Sequence, residues 1–179
     1  MLGQTIVSPG LLFGSFLYRK DLHSPEDLKA KWESCHGESF YFVPKLNPLF
    51  NYYASEMGEV ELLDRFFALS TQPFPRDQFL QAKLSALQWE TEWSDLGQRR
   101  VNVDTGMLTA ENFTLATTKN YAHRIFVGHN VFSDLTYQVQ HGKLCPLPWT
   151  YPDYLDEEKM EFFIWGRSYL LTKTTQSRA

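Results

Sequence analysis

The chain has 179 residues, 43% hydrophobic and 21% charged, with ten Gly and nine Pro, a composition that excludes disordered, collagen-like and fibrous classes and suits one domain burying roughly 70% of its unfolded surface. The net charge of −4 argues against a protein that coats nucleic acid or an anionic membrane. Its apolar runs fall far short of the ~20 residues that span a bilayer, and the N-terminus lacks a basic segment leading into an apolar stretch and a small-residue cleavage site, so the expectation is one cytoplasmic domain over residues 1–179. Charge is unevenly spread: residues 56–98 carry eight acids against three bases, and residues 99–125 four bases against two acids, a stretch suited to a small anion.

Residues 11–18 are densely apolar and aromatic between Pro9-Gly10 and Arg19-Lys20-Asp21, and read as a strand. A helix follows, with Ser24 as its cap, Pro25 at its first position, Asp27 answering the cap, and Leu28, Trp32 and Cys35 on one face before Gly37. Residues 40–43 read as a short strand entering the proline-marked segment 44–48, Phe50-Asn51-Tyr52-Tyr53 as core and rim, and residues 62–69 as a third strand with a helix as its alternative. Pro73 and Pro75 bracket the start of the longest helix, residues 76 to about 95, with Leu80, Leu84 and Leu87 facing the core and Gly97 just past its end.

From Arg99 the period changes to two. Val101 and Val103 alternate with polar residues, residues 113–117 are rich in β-formers, and residues 124–127 and 131–139 are two strands joined by Gly128-His129-Asn130. Gln140-His141-Gly142 marks a further turn, residues 145–152 a proline-constrained loop, and residues 160–173 a terminal helix. The order β-α-β-β-α-β through residue 103 predicts an α+β fold, a ferredoxin-like split βαβ core extended by an antiparallel β-meander and a C-terminal helix. Cys35 and Cys145 stand far apart without metal-ligand spacing and read as buried or idle thiols.

The densest set of reactive side chains is Thr117-Thr118-Lys119-Asn120-Tyr121-Ala122-His123-Arg124. Arg offers a planar fork, Lys a point charge and the hydroxyls neutral donors, together a cradle for phosphate or carboxylate. Imidazole changes charge near physiological pH, which makes His123 the acid–base candidate. A second set, Asn102-Val103-Asp104-Thr105-Gly106, reads as a tight turn at a strand end. There Asp104 is either a proton-accepting carboxylate set against Arg124 by the pairing of consecutive strands, or a hard-cation ligand with Glu56 and Asp134. In the third set, Leu147-Pro148-Trp149-Thr150-Tyr151-Pro152-Asp153-Tyr154, prolines hold aromatics that either stack a base or sugar, with Asp153 accepting a hydrogen bond, or plug the open end of a sheet. GxxxxGK[ST], GxGxxG, GxSxG and HExxH are absent. Thr118-Lys119-Asn120-Tyr121 has Tyr where a guanine-reading [NT]KxD element needs Asp, so a P-loop GTPase is excluded and no motif names a cofactor.

Several segments together resemble an uncharacterised prokaryotic family, domain of unknown function 4416 (DUF4416). They are the N-terminal Gly-Leu-Leu-Phe-Gly-Ser, Tyr52-Tyr53 with Glu56-Met57-Gly58, residues 100–106, Leu115-Ala116-Thr117-Thr118-Lys119, His123-Arg124-Ile125, and Trp149-Thr150-Tyr151-Pro152-Asp153-Tyr154. The resemblance spans nearly the whole chain and departs from the family pattern at Thr105, where Pro is usual, and at Asp134, where Glu is usual. It implies no particular activity.

The residues point to a protein that binds a phosphate-bearing small molecule such as a nucleotide, with hydrolysis or transfer left open. Asp104 and His123 are the catalytic candidates; Thr117, Thr118, Lys119, Arg124, Trp149, Tyr151 and Asp153 are the binding candidates; no metal site is expected. The alternative is a non-catalytic structural or protein-interaction domain. The two readings part on whether Asp104, Lys119, His123, Arg124 and Asp153 share one concavity.

Overall fold

The first apolar run forms β1 (Leu11–Arg19), buried at every position through Tyr18, because helices cover both faces of the sheet around it. The structure, a computed structural model, describes residues 7–45 and 50–176. The helix α1 (Pro25–His36) begins at Ser24, whose Oγ accepts from the Asp27 amide at 3.2 Å, and ends at Gly37 with φ 80°. There follow β2 (Ser39–Phe42), α2 (Phe50–Met57), β3 (Leu63–Ser70), α3 (Phe79–Glu92), β4 (Val101–Leu108), β5 (Asn112–Thr117), β6 (Arg124–Gly128), β7 (Val131–Gln140), β8 (Lys143–Pro146) and α4 (Glu157–Gln176).

The strands make one sheet in the order β2-β3-β1-β4-β5-β7-β6, with β8 also on β7, and each pairing is antiparallel. The alternation of side chains along β1 builds a separate core on each face. Leu12, Phe16 and Tyr18 pack under α1 and α3 with Leu28, Trp32, Ala82, Ala86 and Trp89. Leu11 and Phe13 pack under α4 with Phe67, Phe113, Tyr137 and Phe163, and Leu17 meets Met57 of α2. The protein is thus a mixed α/β fold with an antiparallel sheet and, among the described residues, four α-helices, the last of them C-terminal.

Several local expectations change. Residues 102–106 run through the middle of β4 instead of turning, because a Cβ at Gly106 would meet the Phe113 ring at 2.8 Å and the Thr114 carbonyl at 2.9 Å, an approach that glycine alone permits. The helix expected from residue 76 is a 3-10 turn, Arg76–Gln78, leading into α3. Its buried face carries Ala82, Lys83, Ala86, Trp89 and Glu90, while Leu80, Leu84 and Leu87 are half-buried. Small alanines let α3 approach the sheet, so the leucines ride at its flank. Phe50-Asn51-Tyr52-Tyr53 opens a helix, Cys35 is exposed, and residues 46–48 of the proline-marked segment lie outside the described residues. The turn at His129 and Asn130 has φ of 50° and 58°, the left-handed pair that a two-residue hairpin requires.

Near the end of α1, the His36 ring sits against Trp32, Phe74 and Trp89 at 4.5, 6.0 and 5.7 Å. Burial pushes its pKa down to about 4 from 6.5. Between these values the unfolded chain takes up a proton that the folded chain refuses, so this group contributes stability above pH 6.5 and loses it as pH falls towards 4. In urea titrations, the difference in unfolding free energy between the parent and His36→Gln should shrink across that window. A difference that stays flat with pH would refute the assignment.

Candidate functional site

A cavity opens where β4 and β5 part company. Their pairing stops at Thr105↔Ala116, yet β4 continues to Val101 along β1, leaving the outer edge of Val103 without a strand. Two side chains of α3 replace it: Lys83 Nζ donates to Val103 O at 3.0 Å, and the Val103 N–H donates to Glu90 Oε1 at 2.7 Å. This explains why Lys83 and Glu90 are only 4% and 9% exposed, since a buried backbone donor and acceptor must be satisfied. Burial pushes the Glu90 carboxyl upward, with Lys83 and the Val103 amide pulling against it.

The cavity, ≈ 580 Å³, is also walled by Tyr52, Tyr53 and Glu56 of α2, by Arg65 of β3, and by the segment between β5 and β6. The residues before α4 close it. Every site residue expected from the sequence lines it: Asp104, Thr117, Thr118, Lys119, His123, Arg124, Trp149, Tyr151 and Asp153.

The contacts within the wall differ from expectation in one respect. Arg124 does not meet Asp104. Its Nε donates to Asp134 Oδ2 at 2.8 Å, Nη1 to the Lys119 carbonyl at 2.8 Å and Nη2 to the Tyr151 hydroxyl at 2.5 Å. The reason is topological: β5 pairs with β7, and β6 lies beyond it, so Asp134 is Arg124's cross-strand neighbour. His123 Nε2 stands 3.4 Å from the same Asp134 oxygen, with its ring stacked on Trp149 at 5.0 Å and 14°. The strap carrying Trp149 is tied to β7 by Trp149 Nε1 on Leu135 O at 2.8 Å and Thr150 Oγ1 on Thr136 O at 2.5 Å.

Asp153 accepts from Arg65 Nη1 at 2.5 Å, with both side chains under 5% exposed. Burial opposes the charge on Arg65, and Asp153 outweighs it. Lys119 Nζ donates to the Tyr52 hydroxyl at 3.0 Å, a bond that holds the ammonium pKa above its usual value. Thr117 Oγ1 accepts from the Lys119 amide at 3.2 Å, and Thr118 is exposed. On β4, Asn102 Nδ2 donates to Asp104 Oδ2 at 3.1 Å while Asn102 Oδ1 accepts from Arg99 Nη1 at 2.7 Å. Arg99 lies 3.3 Å from Glu56.

Sequence reasoning passed over Tyr53, Arg65, Lys83 and Glu90. The available signal on α3 was a seven-residue interval between Lys83 and Glu90 beside the Ala82, Ala86, Trp89 stripe. Among the described residues no group of three or more His, Cys, Asp or Glu is placed to hold a metal ion, and no helix is long and apolar enough to cross a membrane.

Residues 8–169 match the family described as Domain of unknown function (DUF4416), and the chain belongs to that family. No curated protein and no solved structure matches it.

Proposed function

We propose that this member of the DUF4416 family binds a phosphate-bearing small molecule in the cavity between β4 and β5. The observation that carries the reading is convergence: side chains from distant segments, chosen for their chemistry, line one concavity whose size suits a small ligand. The phosphate contact falls to Lys119, whose ammonium is held by a neutral hydroxyl, and to the hydroxyls of Thr117 and Thr118. Arg124 is spent on Asp134 and Tyr151 and supports the wall. Hydrolysis or transfer would draw on His123 and Asp104 for proton handling, and a turnover assay on any ligand found is the test of that extension.

We also read the first half as a ferredoxin-like split βαβ unit. The order β2-β3-β1-β4, with α1 and α3 on one face, supports it. The unpaired thiols of Cys35 and Cys145 fit a reducing, cytoplasmic setting. A second reading, a protein-interaction domain, draws on β6, where Ile125 and Phe126 are 72% and 60% exposed on a strand at the sheet's edge.

A thermal-shift screen of inorganic phosphate, sugar phosphates and nucleotides tests the first reading, since ligand at ~100 times Kd adds about 2.7 kcal/mol of stability. Lys119→Ala should unfold cooperatively within about 0.5 kcal/mol of the parent, as expected for an exposed side chain, and lose most of the ligand-induced shift. Either a parent indifferent to every phosphate compound, or a Lys119→Ala variant that responds like the parent, sinks the reading.

A further inference from the structure

Among the described residues, matching the cavity's charges to their partners leaves two over. Arg65 is paired with Asp153, Arg124 with Asp134 and Arg99 with Glu56, while Lys83 and Glu90 are spent on the Val103 backbone. Lys119 has the Tyr52 hydroxyl. Asp104 has the Asn102 amide at 3.1 Å and, among the described residues, no ion pair. Arg99 donates to Asn102 Oδ1, which turns the amide so that its N–H faces Asp104. One hydrogen bond leaves most of a carboxylate's acceptor capacity unused.

The two leftover charges flank the same split. One further step of the β4–β5 register beyond Thr105↔Ala116 would set Asp104 opposite Thr117, two residues before Lys119. The cavity that both charges line is also rich in rings: the tyrosines of α2, Tyr151, Tyr154 and the His123–Trp149 stack. A ligand that satisfies both charges has an anionic end, a planar body and a hydrogen-bond donor at the other end.

We propose that Asp104 is a specificity-determining residue that receives the exocyclic amino group of a planar heterocycle, so that the ligand class is a nucleotide-like phosphate with an aminated base. This rests on the phosphate reading above, and it sets Asp104 at the base end of the ligand in place of the proton-handling role considered for it there. Asp104 selects in both directions. A ring amino group donates to the carboxylate, whereas a ring oxo group in the same place sets acceptor against acceptor and is rejected.

The test is calorimetric titration of the parent and Asp104→Asn with the matched amino/oxo pairs AMP and IMP, CMP and UMP, and GMP and XMP, alongside ribose 5-phosphate and inorganic phosphate. The parent should bind the amino member of at least one pair about 10- to 100-fold more tightly, the range for a hydrogen bond to a charged group. In Asp104→Asn the ratio should fall to within about threefold, because an amide can present either its oxygen or its NH2 to the ring. Equal affinity within every pair in the parent, or a ratio that survives in Asp104→Asn, overturns the assignment of Asp104 and leaves phosphate binding standing. A parent that binds none of these compounds overturns the phosphate reading and this inference with it. The parent comparison needs no variant, so it decides the matter even if Asp104→Asn fails to fold.

Discussion

Asp153→Asn is expected to lower the free energy of unfolding by about 3–5 kcal/mol, the range for removing one partner of a buried ion pair. Arg65 lies on β3 and Asp153 in the 3-10 turn Pro152–Tyr154, 2.5 Å apart, with side-chain exposures of 3% and 4%. Losing the carboxylate leaves a guanidinium out of water with its countercharge gone, and desolvation, not the lost attraction, sets the size of the effect. The same turn places Tyr154 flat against Phe67 at 6.1 Å and 9°, with the Tyr137 hydroxyl donating to the Tyr154 carbonyl, so the floor of the cavity loosens with the pair. Replacing both partners, Arg65→Met with Asp153→Leu, should cost less than Asp153→Asn alone, because an ion pair and an apolar pair of similar volume are nearly equivalent in a core. Urea titration of the three proteins decides it. An Asp153→Asn variant within about 1 kcal/mol of the parent would show that the pair is solvated in a way its burial does not suggest.

Local chemistry made part of this fold legible. The start of α1 could be read from Ser24, Pro25 and Asp27 because a helix cap is satisfied within three residues, and the hairpin at His129-Asn130 because its turn depends on two φ angles. The buried face of α3 could not. Alanine contributes little to an apolar pattern, and Lys83 and Glu90 look like solvent-facing residues until the missing strand beside Val103 is known. The 102–106 segment failed for a related reason. Asn, Asp and Gly are turn formers by local propensity, but pairing with β1 along the whole segment and the Phe113 ring over Gly106 override it.

The candidate site was legible where chemistry is concentrated in sequence and opaque where it is assembled by topology. Thr117 to Arg124 and Trp149 to Asp153 stand out because reactive and aromatic side chains crowd together there, and both segments reach the cavity. Arg65 carried no such signal, being a single cation in an otherwise apolar strand, and the aromatic run that contains Tyr53 reads from sequence as core and rim. The partner of Arg124 was misread because sequence neighbours were taken as sheet neighbours, whereas β7 crosses between β5 and β6. That crossing turns Arg124 from a ligand-facing fork into the pin of the wall.

Its removal should therefore act first on the fold. Arg124 ties β6 to β7 through Asp134, to the 119 loop through a carbonyl and to the 151 strap through a hydroxyl, and its side chain is 2% exposed against 4% for Asp134. Arg124→Ala strands a buried carboxylate and removes three hydrogen bonds, which predicts a loss of about 3–5 kcal/mol. The double variant Arg124→Ala/Asp134→Ala, which leaves no buried charge behind, should unfold at higher denaturant than Arg124→Ala. Urea titrations of the two variants beside the parent separate the cases. A double variant no more stable than the single would place the loss in the hydrogen bonds to Lys119 and Tyr151 and remove the ion pair from its role as the wall's anchor.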